Sequence, residues 1–424
     1  MTEPGSQTLA SNLTHTGFDR AHLDTTLDAV IRWHDEGFGG IARTPCLHSE
    51  PLSQLTGTQI HVKLENLQQT GSFKERGAYA RMRALGEDVK ARGVVAASAG
   101  NHAQGVALHG RRLGAQTRIF MPLGTPTIKV NQTRGLGADV VLEGEDFDAA
   151  KQAALAFADQ SGAVFVHPFD DPHVLCGQGM IAREMLSIVP DLDTLVIPVG
   201  GGGLASGMGL MARRINPDIR LIGVQADLFP SFHNLYHQRK APVGGVTLAE
   251  GIAVREPGTL TRSLLVDLLD EMLVVDEAMI ERALNLFLTQ MRVLAEGAGA
   301  VGLAAVLAHP DLFRGGKTGL VLCGGNIDTR LLSSLLLRDL ARSNRLARLR
   351  IQLIDVPGQL SGVSRVISEA GGNVTDVAYH KTFSNLPAKV TNIDISLEAQ
   401  DADHMAAIIT ALRTAGFTVE RADY

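Results

Sequence analysis

Short apolar runs alternate with longer amphipathic segments along the first three quarters of the chain. The runs at residues 94–97 and 194–199 have the length and composition of buried strands. Segments with apolar residues at helical spacing follow them, as at residues 101–113 and 204–214. Strands that alternate with helices in this way predict an α/β fold with parallel sheets and helical crossovers.

The same criteria give the remaining elements up to residue 340. Strands are predicted at residues 62–64, 94–97, 117–121, 140–142, 164–166, 194–199, 221–225 and 318–323. Helices are predicted at residues 72–83, 101–113, 127–136, 147–160, 204–214, 276–288, 298–307 and 329–340. Ser72 is a plausible cap for the first of these helices.

The pattern changes near residues 341–346. The tail then predicts a strand, a helix, two strands, a helix and a strand, at residues 347–356, 360–370, 373–380, 389–397, 402–415 and 418–422. This order is a βαββαβ unit of ferredoxin-like type. We therefore predict a first region at residues 1–345, in which a smaller lobe of roughly residues 75–170 is inserted into a larger lobe, and a second domain at residues 346–424.

Composition narrows the class of protein. The 424 residues are 45% hydrophobic but only 4% aromatic, and 45 are glycine, which suits α/β layers with tight turns. A net charge of −6 argues against nucleic-acid partners and anionic membranes. No apolar run approaches the roughly 18 residues of a membrane span.

Two further features indicate a cytoplasmic protein. Cys46, Cys176 and Cys323 are too few and too scattered for a disulfide framework or a zinc site, so we expect reduced thiols. Residues 1–16 lack the basic-then-apolar pattern of a signal peptide.

Lys74 is the first candidate for chemistry, in the segment Gly71-Ser72-Phe73-Lys74-Glu75-Arg76-Gly77-Ala78. It lies just inside a predicted helix start, where the positive end of the helix dipole favours a neutral amine. Taken alone, an ordinary solvated lysine is the better interpretation, because most lysines lie on the surface.

Four glycines, Gly200 to Gly203, lie between a predicted buried strand and a helix. Backbone amides at such a place can approach an anion closely. The sixth position of a dinucleotide fingerprint holds Ala205 or Ser206, and no Walker lysine-serine pair follows. The run therefore suits a single phosphate better than a pyrophosphate.

Two other strand ends carry polar or sulfur groups. The turn from Ser98 to His102 can bind a carboxylate or phenolate oxygen, although a polar helix cap explains it equally well. Cys323 ends an apolar strand, where open α/β sheets place ligands, so its thiol could face a ring nitrogen. A buried small apolar residue is an equal alternative there.

Taken together, these motifs resemble the fold-type-II pyridoxal-phosphate enzymes, which have the tryptophan-synthase-β-like fold. Within them the chain most resembles the threonine ammonia-lyases, or threonine dehydratases, including Thr44-Pro45 and Leu64-Glu65-Asn66. The resemblance covers nearly all of residues 25–340. The tail, with Asp355-Val356-Pro357-Gly358-Gln359-Leu360 at its first turn, resembles an ACT regulatory domain.

The resemblance implies roles for individual residues. Lys74 would hold pyridoxal 5'-phosphate as a Schiff base, Asn101 would bond its ring hydroxyl, and Cys323 would lie at its ring nitrogen. The phosphate would be held by Gly200, Gly201, Gly202, Gly203 and Leu204, and the cofactor pocket would be lined by Phe73, Gly251 and Glu296. The substrate carboxylate would lie among Ser98, Ala99, Gly100 and His102.

The implied reaction is deamination of L-threonine to 2-oxobutanoate and ammonia, and also of L-serine. Lys74, freed as a neutral base, would remove the α-proton before the β-hydroxyl leaves. Alternatives are a dehydratase for another β-hydroxy amino acid, such as serine or 3-hydroxyaspartate, and a non-catalytic cofactor-binding or amino-acid-sensing protein. The tail implies an effector site at Gly358, Gln359 and Leu360, with isoleucine as the candidate effector, and the family implies a homodimer or homotetramer.

The chain departs from related families at two places. Ala99 stands where serine racemases carry a serine base, so we expect little racemisation. Some relatives bind a divalent cation through two acidic residues. Here Asp227 matches one and the second is replaced near His233, which leaves metal binding open.

Overall fold

The computed structural model describes residues 20–380, 387 and 389–422. The polar start at residues 1–16 lies outside the described residues. The chain forms two compact units, Met1–Ile327 and Asp328–Tyr424. The helix before the predicted boundary at residue 345 thus falls in the second unit, whereas the sequence analysis grouped it with the first region. The domain limits stay a prediction.

The strands of the first unit form two sheets. They are β1 (Cys46–His48), β2 (Gln59–Leu64), β3 (Val94–Ala97), β4 (Thr117–Met121), β5 (Asp139–Leu142), β6 (Val164–Phe165), β7 (Thr194–Pro198), β8 (Arg220–Ala226), β9 (Glu271–Val275) and β10 (Lys317–Leu322). One sheet has the order β1-β2-β10-β7-β8-β9, in which only β1 runs antiparallel to its neighbour. The other has the order β5-β4-β3-β6 and is wholly parallel.

The helices of the first unit cover these sheets. They are α1 (Arg20–Asp35), α2 (Glu50–Thr56), α3 (Lys74–Ala84), α4 (Asp88–Arg92), α5 (Asn101–Leu113), α6 (Thr127–Gly135), α7 (Phe147–Ser161), α8 (Pro172–Ile188), α9 (Gly203–Ile215), α10 (Ser231–Tyr236), α11 (Thr259–Leu268), α12 (Glu277–Leu286) and α13 (Gly297–Ala308). Two sheets that are parallel except at β1, joined by helical crossovers, confirm the predicted two-lobed α/β architecture. Among the described residues, no helix has the length and apolar character needed to cross a membrane.

The second unit has α14 (Thr329–Arg342), β11 (Leu346–Ile354), α15 (Gln359–Glu369), β12 (Asn373–His380), β13 (Val390–Glu398), α16 (Ala402–Thr414) and β14 (Thr418–Arg421). Its antiparallel sheet has the order β12-β13-β11-β14. Buried and exposed residues alternate along β11, so one face of the sheet packs on the tail core. This arrangement confirms the predicted ferredoxin-like unit.

Helix α3, which follows the Gly71-Ser72-Phe73 segment, begins later than predicted. α3 begins at Lys74, after Phe73 in a helical conformation, and no side chain caps it. The prediction that Ser72 caps this helix is therefore wrong. Ser72 instead pairs its backbone with Gly324, and its buried hydroxyl has no partner among the described residues.

A buried ionic cluster lies where α1, β2, α3 and α8 meet. Arg76 is fully buried and contacts Glu65 at 2.7 Å and Glu184 at 2.8 Å. Glu184 also accepts from Lys63 Nζ at 2.6 Å and bonds His34 Nε2 at 2.8 Å. Burial alone would raise the pKa of Glu184, but His34, Arg76 and Lys63 hold that pKa well below its ordinary value. The opposite charges of the cluster thus compensate one another in the buried interior.

Candidate active site

The candidate site lies at the carboxyl ends of neighbouring parallel strands. β2, β10 and β7 are adjacent in the large sheet, and their ends lead to the Lys74 segment, Cys323 and Gly200 respectively. Phe73 N donates to Cys323 O at 3.0 Å, which ties the lysine segment to the end of β10. Open α/β sheets bind ligands at this edge.

Lys74 is the first residue of α3, and its amine contacts a backbone carbonyl and an aromatic ring. Lys74 Nζ donates to Pro168 O at 2.9 Å and lies 5.2 Å from the centroid of the Phe73 ring. Burial lowers the pKa of Lys74 from 10.5 to about 8, although Cys323 and Glu296 act in the opposite direction. A substantial fraction of this amine is therefore neutral near pH 8.

Asn101 and Glu296 come together from the two lobes. Asn101 is the first residue of α5, and its Nδ2 donates to Glu296 Oε1 at 2.8 Å. Burial raises the pKa of Glu296, while the hydrogen bonds from Asn101 and from the backbone of Asn326 oppose that rise. Glu296 also faces Gly251, where an added Cβ would lie 3.5 Å from its Oε1.

The glycine loop is closely packed and needs its glycines. Gly202 has φ 95°, a conformation that glycine adopts without strain, and it precedes the first turn of α9. Side chains at Gly201 or Gly203 would clash with Phe169. Thr261 Oγ1 donates to Gly201 O at 2.6 Å and fixes the loop from the other side.

The segment from Pro168 to Asp170 joins several parts of the site and was not among the predicted site residues. Pro168 accepts from Lys74, Phe169 packs on the glycine loop, and the Asp170 carboxylate accepts from the first backbone amides of α11. The only sequence signal was its position just after a predicted strand, which does not distinguish it from an ordinary loop.

The turn after β3, from Ser98 to His102, packs on the small-lobe core on one side and is open on the other. Ser98 Oγ accepts from Gly100 N at 3.1 Å, and Ala99 packs against the core of the smaller lobe. At Gly100 an added Cβ would meet nothing within 4 Å, so the turn faces open space. His102 Nε2 donates to Val166 O at 2.8 Å, and burial lowers the pKa of His102 to about 3, so the ring is neutral.

Cys323 is the last of the predicted cofactor-site residues. The Cys323 thiol is buried, and burial together with Glu296 raises its pKa, so it is protonated at neutral pH.

Of the two positions considered for a divalent cation, Asp227 is exposed and His233 is buried. Among the described residues, no group of three histidine, cysteine or acidic side chains is placed to hold a metal ion.

A lysine amine of lowered pKa and a glycine-rich loop, both at strand ends of an α/β unit, are the features expected of an enzyme that binds a phosphorylated carbonyl cofactor. A family model for pyridoxal-phosphate dependent enzymes matches residues 38–324, and a model for the ACT domain matches residues 342–415. The chain therefore belongs to the family of pyridoxal-phosphate-dependent enzymes, and its tail is an ACT domain. These matches confirm the predicted class, fold and cofactor.

Individual relatives agree with this family. The chain is 44% identical to the L-threonine ammonia-lyase of Thermotoga maritima over 381 residues, 89% of this chain and 95% of the relative. The processed form of threonine deaminase isoform 2 from Solanum lycopersicum has a TM-score of 0.70 and 35% identity, over 76% of this chain and 94% of that one. Maize serine racemase has a TM-score of 0.68 and 30% identity, over 75% and 98%.

The residues present fit pyridoxal phosphate. Lys74 supplies an amine of lowered pKa, and the first amides of α9 have no acceptor within their own helix. The hydroxyls of Ser72 and Ser206, next to these two features in sequence, are buried without a partner among the described residues. A buried hydroxyl without a protein partner can be satisfied by a bound ligand or by water.

Gly203→Ala is expected to weaken cofactor binding. The new Cβ would lie 2.8 Å from both the carbonyl oxygen and the Cβ of Phe169, so the loop must move. Overpacking of this size corresponds to a loss of roughly 5- to 150-fold in affinity. Titration of apoenzyme with cofactor measures it. Gly135→Ala is the matched control, because its Cβ meets nothing within 4 Å, and equal affinities of the two variants would contradict the expectation.

Cofactor loading is expected to depend on pH through Lys74. The neutral amine reacts, and its pKa is lowered to about 8. The recombination rate of apoenzyme with pyridoxal phosphate should therefore rise about tenfold between pH 6 and 7 and level off above pH 8. Stopped-flow absorbance measures this rate. A rise that continues through pH 10 would mean that the amine keeps its ordinary pKa.

Proposed function

We propose that this enzyme is a threonine ammonia-lyase that converts L-threonine to 2-oxobutanoate and ammonia, and that it also acts on L-serine. The observation that carries the proposal is the Lys74 amine, whose pKa is lowered and which donates to Pro168 O, in a chain 44% identical to an L-threonine ammonia-lyase. The attached ACT domain supports regulation, as expected of an enzyme at a metabolic branch point.

The residues divide the work of the reaction. Bound pyridoxal phosphate supplies an electron sink for the α-carbon of the substrate. Lys74 would hold the cofactor and, as a neutral amine, would accept the α-proton of the substrate. We assign Gly200, Gly201, Gly202, Gly203 and Leu204 to the phosphate, Asn101 to the ring hydroxyl, Phe73, Gly251 and Glu296 to the pocket wall, and Ser98, Ala99, Gly100 and His102 to the substrate carboxylate.

We infer that Cys323 lies at the ring nitrogen of the cofactor, where it would favour elimination over reactions that need a long-lived carbanion. Its raised pKa keeps the thiol neutral, and a thiol cannot protonate a ring nitrogen as a carboxylic acid can. A neutral Cys323 at the ring nitrogen would stabilise negative charge at the α-carbon only weakly, which would favour prompt departure of the β-hydroxyl.

Racemisation is the second candidate activity, because serine racemase is among the similar structures. Protonation from the opposite face needs a donor, and Ala99 has none while it packs against the small-lobe core. We therefore propose that D-serine is at most a minor product. Efficient formation of D-serine from L-serine, measured by chiral chromatography, would contradict this.

The decisive experiment is release of 2-oxobutanoate from L-threonine by purified, cofactor-loaded protein, with L-serine and 3-hydroxyaspartate in parallel. Rapid release from L-threonine supports the proposal. Turnover of 3-hydroxyaspartate alone would favour the other dehydratase, and no turnover with the cofactor bound would favour amino-acid sensing.

We also propose that the tail binds an amino-acid effector, with isoleucine as the candidate. Gly358 has φ 93° and precedes the first turn of α15, while Leu360 packs partly on the tail core. Calorimetry with isoleucine and other amino acids tests this, and an absence of binding would leave the tail a structural role. A homodimer or homotetramer is part of the same proposal. A cytoplasmic location is also proposed, and the three free cysteines support it.

A further inference from the structure

A short chain of hydrogen bonds runs from a backbone carbonyl into the cofactor site. Asn326 Nδ2 donates to Thr70 O at 2.7 Å and to Asn101 Oδ1 at 2.7 Å. Asn101 Nδ2 in turn donates to Glu296 Oε1 at 2.8 Å. The backbone N–H of Asn326 also donates to the Glu296 carboxylate. One residue therefore contacts both members of the Asn101–Glu296 pair.

The carbonyl oxygen of Thr70 determines which groups donate and which accept along this series of hydrogen bonds. A backbone carbonyl only accepts, so the group of Asn326 that faces Thr70 must be the NH₂ group. The second hydrogen of that group then requires an acceptor from Asn101, which must be Oδ1. A free asparagine amide can turn over and exchange its oxygen and nitrogen, and Asn326 removes this freedom from Asn101.

We propose that Asn326 is a positioning residue that fixes the amide orientation of Asn101, so that one N–H of Asn101 bonds Glu296 and the other faces the cofactor's ring hydroxyl. The inference rests on the role proposed above for Asn101. In the reversed orientation, the oxygen of Asn101 would face Glu296, and its NH₂ group would face the donor of Asn326 without an acceptor.

The turn at Gly71 is shaped around the same residue. Gly71 has φ 72°, and an added Cβ there would lie 2.5 Å from Asn326 Oδ1. A side chain at this position would strain the backbone, and it would also displace the Asn326 amide. The local backbone thus leaves room for Asn326 in the position from which it reaches Asn101.

A double-mutant cycle on cofactor affinity tests the proposal. Apoenzyme carrying Asn326→Ala, Asn101→Ala or both is titrated with pyridoxal phosphate, and the dissociation constant and absorption maximum are measured. Asn326→Ala is expected to weaken binding about three- to tenfold, the size of a partly exposed hydrogen bond. In the Asn101→Ala background the same change should have less than about a twofold effect, because Asn326 acts through Asn101.

The possible outcomes separate the two claims. If Asn101→Ala leaves affinity and spectrum unchanged, the role of Asn101 fails and the inference fails with it. If Asn101→Ala weakens binding but Asn326→Ala does not, or if the two effects simply add, only the positioning role is overturned. Asn326→Asp, which removes the donors at constant size, should repeat the loss. Asn234→Ala is the control, because Asn234 also donates to a backbone carbonyl, at 2.8 Å, and is assigned no part in the site.

Discussion

Replacing Lys74 with alanine is expected to abolish deamination of L-threonine while the protein remains folded. In the proposed mechanism Lys74 both attaches the cofactor and removes the α-proton, so the rate of the variant should fall about 10³-fold or more. The alanine methyl fits at a helix start that is already free of side-chain caps, which should preserve α3. Steady-state release of 2-oxobutanoate measures the loss.

The absorption band of the lysine-bound cofactor distinguishes a loss of cofactor attachment from a loss of folded structure. Lys74→Ala should lack the band while its far-ultraviolet circular dichroism matches that of the parent enzyme. Lys90→Ala is the control, because Lys90 is exposed and pairs with Glu87 on the surface. Retention of the band in Lys74→Ala would exclude Lys74 from cofactor attachment.

The largest loss of stability is expected from Arg76→Ala. Removal of this side chain leaves Glu65 and Glu184 buried with an uncompensated charge, and breaking one partner of a buried ion pair costs about 3–5 kcal/mol. The midpoint of urea-induced unfolding, followed by fluorescence of Trp33 beside this region of α1, measures the change.

A surface pair provides the comparison for Arg76. Arg314 and Asp311 are 3.0 Å apart and both are exposed, so Arg314→Ala should change the free energy of unfolding by about 0–1 kcal/mol. If Arg76→Ala also cost less than about 1 kcal/mol, water or a change of protonation would have to compensate the remaining carboxylates.

The buried ionic cluster was beyond prediction from the sequence. Its members are separated by up to 150 residues, and each charged side chain on its own reads as a solvated surface group. Only the fold brings Lys63 and Arg76 to Glu184. The same limit applies to Asn326, whose hydrogen bond to Asn101 spans 225 residues.

Helix α8 was missed for a different physical reason. It is buried on almost every side, so it lacks the alternation of apolar and polar faces that marks a helix. Gly177 and Gly179 also read as helix breakers. In the structure they allow close packing, because a Cβ at Gly177 would lie 2.6 Å from Arg76 O and one at Gly179 would lie 2.7 Å from Gly207 O.

Other parts were predictable because local signals agree with the tertiary structure. β11 alternates buried and exposed residues, so its period of two is visible in the sequence. In the site, Lys74 and the glycine loop stand in dense motifs next to strand ends, which is where parallel sheets bind ligands. The residues that orient them, Phe169 and Thr261, lie in ordinary loop and helix sequence and carried no such signal.

The burial of every cysteine makes this enzyme suitable for site-specific fluorescent labelling. Cys46, Cys176 and Cys323 are all buried as free thiols, and burial raises the pKa of each, to about 11 for Cys46. Maleimide dyes react with exposed thiolates and should therefore leave the native protein unmodified. A single cysteine introduced at exposed Ser361 on α15 would then carry a dye alone and report on the tail during turnover.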